Sequence, residues 1–402
     1  MEQTQKLIIT KWKQGILSML LEDDSEIELH YETLGNAAVG NIYIARVKDI
    51  VKNINAAFVE IAPGQTCYLS IEDARHPVYL NRINKNTKCL VQGDEILVQV
   101  MKDRVKTKDA VVTTNLSFTG KYAVLTTGNH KLGVSMKLED SVRRNLKKCV
   151  EAYVPEDVGV VIRTNAAHVP EEELIQEIQQ LDEQRKKLIE TAQHRTCFSV
   201  MYQAPEKYLM LLRDLNPKKL SEIITDEEEI FQRIQEYCGE QNDGNTIKRL
   251  RLYADQMLPL SKAYSIESRL EKALSERVWL KSGGYLIIQP TEALTVIDVN
   301  TGKYGGKKDL QETFLKINLE AAEEVARQLR LRNISGIVIV DFINMERAEN
   351  KKQLMDELTE CVKKDRVKTD VLDMTVLGLV EMTRKKVDKP LCEVLTVINK
   401  EN

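Results

Sequence analysis

Two acids and a carboxamide in the last third of the chain have the types and spacing to act together. In the run ALTVIDVN, strand alternation puts Val296, Asp298 and Asn300 on one face and Ile297 and Val299 on the other. A carboxylate and a carboxamide two residues apart thereby aim at one point. Asp341 closes a second apolar run, IVIVD. In α/β sheets ligands gather just beyond the carboxyl ends of the strands. If the two runs are neighbours, Asp298 and Asp341 face each other across a small gap. Carboxylates so placed repel unless one is protonated or a cation lies between them. Hard oxygen ligands favour magnesium or manganese, and a magnesium site commonly joins one or two carboxylates to substrate phosphates. The chemistry implied is metal-assisted phosphoester cleavage. Taken singly, an acid at a strand end is more often structural, so the pair carries the reading.

The elements that must position this pair are legible around it. ALTVIDVN leads into the loop TGKYGGKK, and Asp309 with Glu312 looks like a capping box opening a helix. Leu310, Phe314, Ile317, Ala321, Val325 and Leu329 recur at three- and four-residue steps and predict its buried face. Asn333, Ser335 and Gly336 punctuate its end before GIVIVDFIN, an apolar, β-branched run that suits a strand of a sheet covered on both faces. The unit expected is a parallel strand pair joined by a right-handed helical crossover. The glycine loop Gly302–Gly306 has neither dinucleotide-binding nor P-loop spacing. It reads either as a phosphate-approaching loop carrying Lys303, Lys307 or Lys308, or as a turn with solvated lysines.

Further upstream, residues 37–120 hold short β-like runs such as NIYIARVKDI, AAFVEI and EILVQVMK, which predict a small barrel. Lys102, Arg104, Lys106 and Lys108 alternate there. On a strand they form one basic stripe, and in a loop a cationic tip. With Phe58 and Tyr68 they would combine charge with base stacking, the recipe for single-stranded nucleic acid, although an isolated Phe58 reads first as core. From about 121 to 277 strands mix with polar helical stretches. One runs from Glu171 to about His194, with Leu174, Ile178, Leu181 and Leu188 inward and its charged face expected in solvent. His30, His76, His130, His168 and His194 show no ligand spacing.

Composition bounds the alternatives. At 402 residues the chain suggests two or three domains, and 43% hydrophobic with 30% charged residues excludes a disordered or collagen-like chain. The net charge of −3 makes any nucleic-acid site a local patch. No apolar run is long enough to span a membrane and no signal-peptide core opens the chain, which points to the cytoplasm. Seven scattered cysteines without CxxC spacing read as reduced thiols and offer no structural zinc site.

Across nearly the whole length the chain resembles the ribonuclease E/G family. The stretches carrying the resemblance are NIYIARV…NAAFVEI, VIRTNA, LPLSKAYSIESRLEKAL, TEALTVIDVNTGKYGG, ETFLKINLEAAEEVARQLRLRNISGIVIVDFINM and GLVEMTRKK. It implies an α/β, α+β multidomain architecture. An RNase H-like subdomain would be split between 1–36 and 200–277, with an OB-fold RNA-binding domain at 37–117, a 5′-sensor region at 118–199, a DNase I-like catalytic subdomain at 278–392 and a tail at 393–402. The implied activity is magnesium-dependent endonucleolytic cleavage of single-stranded, A/U-rich RNA to 5′-phosphate and 3′-hydroxyl ends, in RNA processing or decay.

Asp298 and Asp341 match the family's metal-binding aspartates and Asn300 the asparagine beside them. Arg163 and Thr164 match the pair that binds a 5′-monophosphate, with Gly120 and Val124 where the sensor backbone approaches it. Phe58, Tyr68 and Lys108 match RNA-contacting positions of the barrel. Met136 and Lys137 stand where some relatives place arginines, so the resemblance leaves the 5′-phosphate preference either blunted or supplied by Lys137. Past Asp388 the chain offers only Cys392, and a zinc-linked dimer is not expected; a weaker homodimer or a monomer is. The rival reading is a non-catalytic RNA-binding or assembly factor on the same fold, which retention of Asp298, Asn300 and Asp341 argues against. A sheet-based phosphatase would leave the barrel unexplained.

Overall fold

The structure is a computed structural model. It describes all residues except 1–3, 34–38, 75, 84–88, 105–108, 242, 256, 303–309 and 401–402, and omits the side chains of 397–400. The chain forms two compact units, one made of Met1–Leu34 with Pro217–Asn402 and the other of Gly35–Asn216.

The first unit holds two sheets. Three N-terminal strands, Gln5–Trp12, Gly15–Glu22 and Ser25–Thr33, pair antiparallel, and Leu220–Thr225 and Leu250–Leu252 extend them in parallel beyond Gln5–Trp12. The strands of this sheet come from two stretches far apart in sequence, 5–33 and 220–252. Ile8, Leu17, Met19 and Leu29 pack with Leu260, Ile266 and Leu270 from the helices that follow. The second sheet has six strands in the order Arg277–Trp279, Tyr285–Pro290, Leu294–Asn300, Gly336–Asp341, Leu379–Arg384 and Thr369–Met374. Leu294–Asn300 and Gly336–Asp341 are parallel, joined by the helix Leu310–Leu331 as expected of the crossover; the other neighbours are antiparallel.

Alternation in these strands sends Ile297, Val299, Val338, Val340, Val380 and Met382 into one core with Ile317, Ala321, Val325, Leu329, Leu354 and Leu358 of the helices Leu310–Leu331 and Ala348–Lys363. The other face departs from the two-sided burial predicted for GIVIVDFIN. Ile337 is 50% exposed and Asp298 and Asp341 are exposed. The run is continuous in apolarity because Ile337 and Ile339 line the open face, not because a second layer of described helices covers it. Leu310 also departs from its predicted burial and is exposed at the helix start, and Asp309 of the expected capping box lies outside the described residues.

The second unit contains a closed five-stranded barrel. Ile42–Val51, Ala56–Ala62, Gln65–Ser70, Ala110–Thr113 and Glu95–Lys102 follow one another around it, and Glu95–Lys102 returns to Ile42–Val51. That is the OB order, and Ala45, Val47, Ala57, Val59, Leu69, Ile96, Val98 and Val112 fill it. Beside it, Ser117–Thr119, Ala123–Thr126, Gly159–Ile162 and Leu132–Val134 form a four-stranded sheet backed by the helix Glu171–Ala192. The Gln99 carboxamide ties barrel to sheet, accepting from Ser117 N at 2.7 Å and donating to Ser117 O at 3.1 Å.

Leu174, Ile178, Leu181 and Leu188 are buried as predicted, but the helix's charged face is not wholly solvated: Glu177, Asp182 and Arg185 are buried too. Arg185 is satisfied by Asp182 and Asp157 at 2.8 Å each, so the charges are paired where they enter the interior. The unit runs on past 199 to Asn216, because Val200–Tyr202 pairs antiparallel with the barrel strand Ile42–Val51.

Candidate active site

Register decides the geometry of the acid pair. Asp298 and Asp341 are direct partners across the parallel pair Leu294–Asn300 and Gly336–Asp341. Such partners share a sheet face with backbones about 5 Å apart. Asn300 stands on the same face and its Nδ2 donates to Asp298 Oδ2 at 2.7 Å. Among the described residues Asp341 has no hydrogen-bond or ion-pair partner. Among the described residues, one oxygen of Asp298 and both of Asp341 thus carry no partner, and both residues are exposed, a donor set that fits a hard divalent cation. No group of three or more His, Cys, Asp or Glu gathers among the described residues. A cation here would rest on two carboxylates, completed by water or substrate oxygens.

One helix holds both sides of this point. From Leu310–Leu331, the fully buried Asn318 donates through Nδ2 to Ile343 O at 2.7 Å and accepts from Ile343 N at 3.0 Å, which fixes the chain just beyond Asp341. Two residues on, Glu320 accepts from Lys281 N at 2.5 Å and Ser282 N at 3.2 Å, fixing the turn before Tyr285–Pro290. That turn abuts the exit from Asn300. Gly302 has φ of +62° and a Cβ there would meet Gly283 O at 2.2 Å, so no side chain fits. Lys303, Lys307 and Lys308 lie outside the described residues.

On the barrel, Phe58 and Tyr68 are cross-strand partners with ring centroids 6.2 Å apart in an edge-on arrangement. Tyr68 pairs onward with Val111, and Val111 with Lys102. Two half-buried rings and an exposed lysine thus lie in one row across four strands. Phe58 is not core: Ala57 and Val59 on either side take the inward positions. The basic residues do not continue as a strand stripe, since the strand ends at Lys102; Arg104 is exposed beyond it, and Lys106 and Lys108 lie outside the described residues.

In the four-stranded sheet, Arg163 follows the strand Gly159–Ile162. Its guanidinium donates to Gly120 O at 2.7 Å and pairs with Asp214 at 2.8 Å. The Thr164 hydroxyl lies 3.0 Å from that of Ser135, which also accepts from Lys137 N at 3.4 Å. Arg163 is thus tied to Gly120 and Thr164 to the Ser135–Lys137 turn, with Val124 on the adjoining strand opposite Val161. Met136 is exposed. Beneath them the Glu177 carboxylate accepts from the backbone N–H groups of Lys121, Tyr122 and Ala123 at 2.7–2.8 Å. Burial raises its pKa, against the pull of those three donors and of Arg163. A Cβ on Gly120 would sit 2.5 Å from this carboxyl carbon, so only glycine fits.

A profile of the Ribonuclease E/G family matches residues 117–387. The chain belongs to the Ribonuclease E/G family. It is 35% identical to Ribonuclease G of Salmonella typhimurium (strain SL1344) over 92% of its own length and 77% of that protein's. It shares 35% identity with Ribonuclease G of Haemophilus influenzae over 94% of this chain and 78% of the relative. Against Ribonuclease E of a Nostoc species the figure is 33%, over 95% of this chain and 56% of the longer protein.

Within this family member several residues that shape the candidate sites carry no motif. Asn318 is one polar residue on the otherwise apolar helix face between Ile317 and Ala321, which is the signal that could have marked it. Glu177 hides among the acids of Glu171–Ala192, and nothing in its spacing sets it apart from its exposed neighbours. Asp214, the carboxylate on Arg163, is far from it in sequence.

Proposed function

We propose that this chain is a magnesium-dependent endoribonuclease that cuts single-stranded, A/U-rich RNA to 5′-phosphate and 3′-hydroxyl ends in RNA processing or decay, in the cytoplasm. The register pairing of Asp298 with Asp341 supports this reading most directly, because two open carboxylates with a helping carboxamide suit a cation beside a phosphodiester. Magnesium, with manganese as the other suitable ion, would supply positive charge at the scissile phosphate and at the water that attacks it.

The chain's own residues hold and aim. Asp298 and Asp341 are the ligands, and Asn300 fixes the Asp298 carboxylate by occupying Oδ2. Phe58 and Tyr68 offer ring faces to unpaired bases, with Lys102, Arg104, Lys106 and Lys108 meeting phosphates. Arg163 and Thr164 anchor a 5′-monophosphate, with Gly120, Val124 and Lys137 around it. Since Arg163 already serves Asp214, a phosphate must either share its guanidinium or displace that carboxylate. Among the described residues no helix is long and apolar enough to cross a membrane. Structural zinc is not part of this reading, and any homodimer would be weak and free of a zinc link.

The test is an A/U-rich oligoribonucleotide bearing a 5′-monophosphate or a 5′-hydroxyl, incubated with and without magnesium. Metal-dependent cleavage, faster on the monophosphate and abolished in Asp298→Asn, is the expected result. Binding without cleavage at any magnesium or manganese concentration would leave a non-catalytic RNA-binding factor instead.

A further inference from the structure

The open face of the catalytic sheet carries an aromatic and guanidinium cluster that the cleavage chemistry does not use. Arg277 and Trp279, two residues apart on the edge strand Arg277–Trp279, project to one face. Trp279 is the register partner of Tyr285, which in turn partners Asn300. Arg277 partners Ile287, which partners Asp298. The cluster therefore shares the face of the Asp298, Asn300 and Asp341 side chains, two strand spacings or about 10 Å from Asp298.

The Trp279 and Tyr285 ring centroids lie 5.3 Å apart at 59°. The Arg277 guanidinium sits 4.7 Å from the Tyr285 centroid and 5.7 Å from that of Trp279. Trp279 is nonetheless 64% exposed, and Ile337 on the same face is 50% exposed. The contacts of Trp279 with Tyr285 and Arg277 leave most of the indole uncovered by the fold. A flat π-face with a neighbouring positive charge is what an unpaired base and its phosphate require. Sheet faces bearing aromatics are a recurrent way of splaying and stacking bases of single-stranded RNA.

We propose that Trp279, with Tyr285 and Arg277, is a base-stacking platform for the RNA strand beside the scissile phosphate. Trp279 stacks the base, Tyr285 supports the indole edge, and Arg277 meets the adjoining phosphate. This site would set which base is accepted near the cut, since purines and pyrimidines differ in stacking area. The inference rests on the ribonuclease reading, and its test can fail separately from it.

The chain has two tryptophans, so Trp12→Phe leaves Trp279 as the sole indole reporter. Titration of this protein without divalent metal, using a single-stranded oligoribonucleotide, is expected to quench Trp279 fluorescence. An oligomer of the same length with abasic positions should bind through charge without quenching. With magnesium, Trp279→Ala should raise KM about tenfold, as loss of one stacked base predicts, with kcat within twofold, and Trp279→Phe should restore most of it. Quenching equal for the abasic oligomer, or an unchanged KM in Trp279→Ala, would overturn the platform while leaving the nuclease intact. If the wild type cuts no RNA, the cleavage reading fails, and the fluorescence result still decides the stacking. Quenching that follows protein concentration without RNA, with a lower mass by light scattering for Trp279→Ala, would make the patch a contact between copies and also overturn the proposal.

Discussion

The Asn318 carboxamide closes both backbone hydrogen bonds of Ile343, two residues beyond Asp341. A buried helix residue thus sets where the second aspartate's strand ends. Asn318→Ala strands an N–H and a C=O in the interior, each costing about 1–3 kcal/mol. A lower denaturation midpoint is expected, together with a kcat at least about tenfold down and KM within twofold. Unchanged kcat in a folded variant would make Asn318 a purely structural residue.

Asp298→Asn and Asp341→Asn are expected to fold normally, because both side chains are exposed and each substitution removes a like charge from the pair. Loss of a cation's charge stabilisation predicts at least about a hundredfold lower cleavage, with RNA affinity kept. Cleavage at the wild-type rate in either variant would refute the site.

Phe58→Ala and Tyr68→Ala should each weaken single-stranded RNA binding by about 1–3 kcal/mol. Because the rings touch edge to face, the double variant should lose less than the two losses added together. Fluorescence anisotropy on the four proteins of the cycle measures that coupling.

Stability should fall in acid for a reason seated at Glu28. Burial pushes its carboxyl up, but Arg366, His30 and Arg330 outweigh burial and hold it well below the usual carboxylate range. A depressed folded pKa means a contribution fully present above the unfolded value of 4.5 and lost as pH falls through the folded one. Urea midpoints should therefore decline below about pH 5. In Glu28→Gln the midpoint at pH 7 should be lower and its acid slope shallower; an equal slope would place the acid sensitivity elsewhere.

Thiol reactivity should separate by burial. Cys67 is pushed up to about 11 and Cys361 to about 12, both chiefly by burial, whereas Cys89 and Cys392 are exposed. A thiol reagent at pH 8 should modify the exposed pair first. Fast labelling of Cys67 or Cys361 in the native protein would contradict the packing.

Strand alternation and helical spacing made the Asp298 and Asn300 face, the crossover helix and the barrel legible, because each is a local pattern. What remained hidden depends on partners distant in sequence. Glu177 looks like any solvated acid until the backbone of 121–123 is placed over it. Phe58 looks like core until the barrel closes and assigns Ala57 and Val59 inward. The open face of the six-stranded sheet was hidden differently. Ile337 and Ile339 prolong an apolar run, and continuity alone cannot tell a second packed layer from a surface meant for a ligand.

The five-stranded sheet of the first unit has a consequence for synthesis. Gln5–Trp12 pairs on one side with Gly15–Glu22 and on the other with Leu220–Thr225. A ribosome adding about 5–20 residues per second must work for ten seconds or more before the later strand emerges. Throughout that wait the nascent hairpin offers a row of unpaired backbone groups, of the kind that invites wrong partners. Residues 35–216, a separate compact unit, are made during the delay, and the proposed site at Asp298 and Asp341 is made only after them. A chain stalled before residue 217 should show fast amide exchange along Gln5–Trp12 and none of the full protein's protection there.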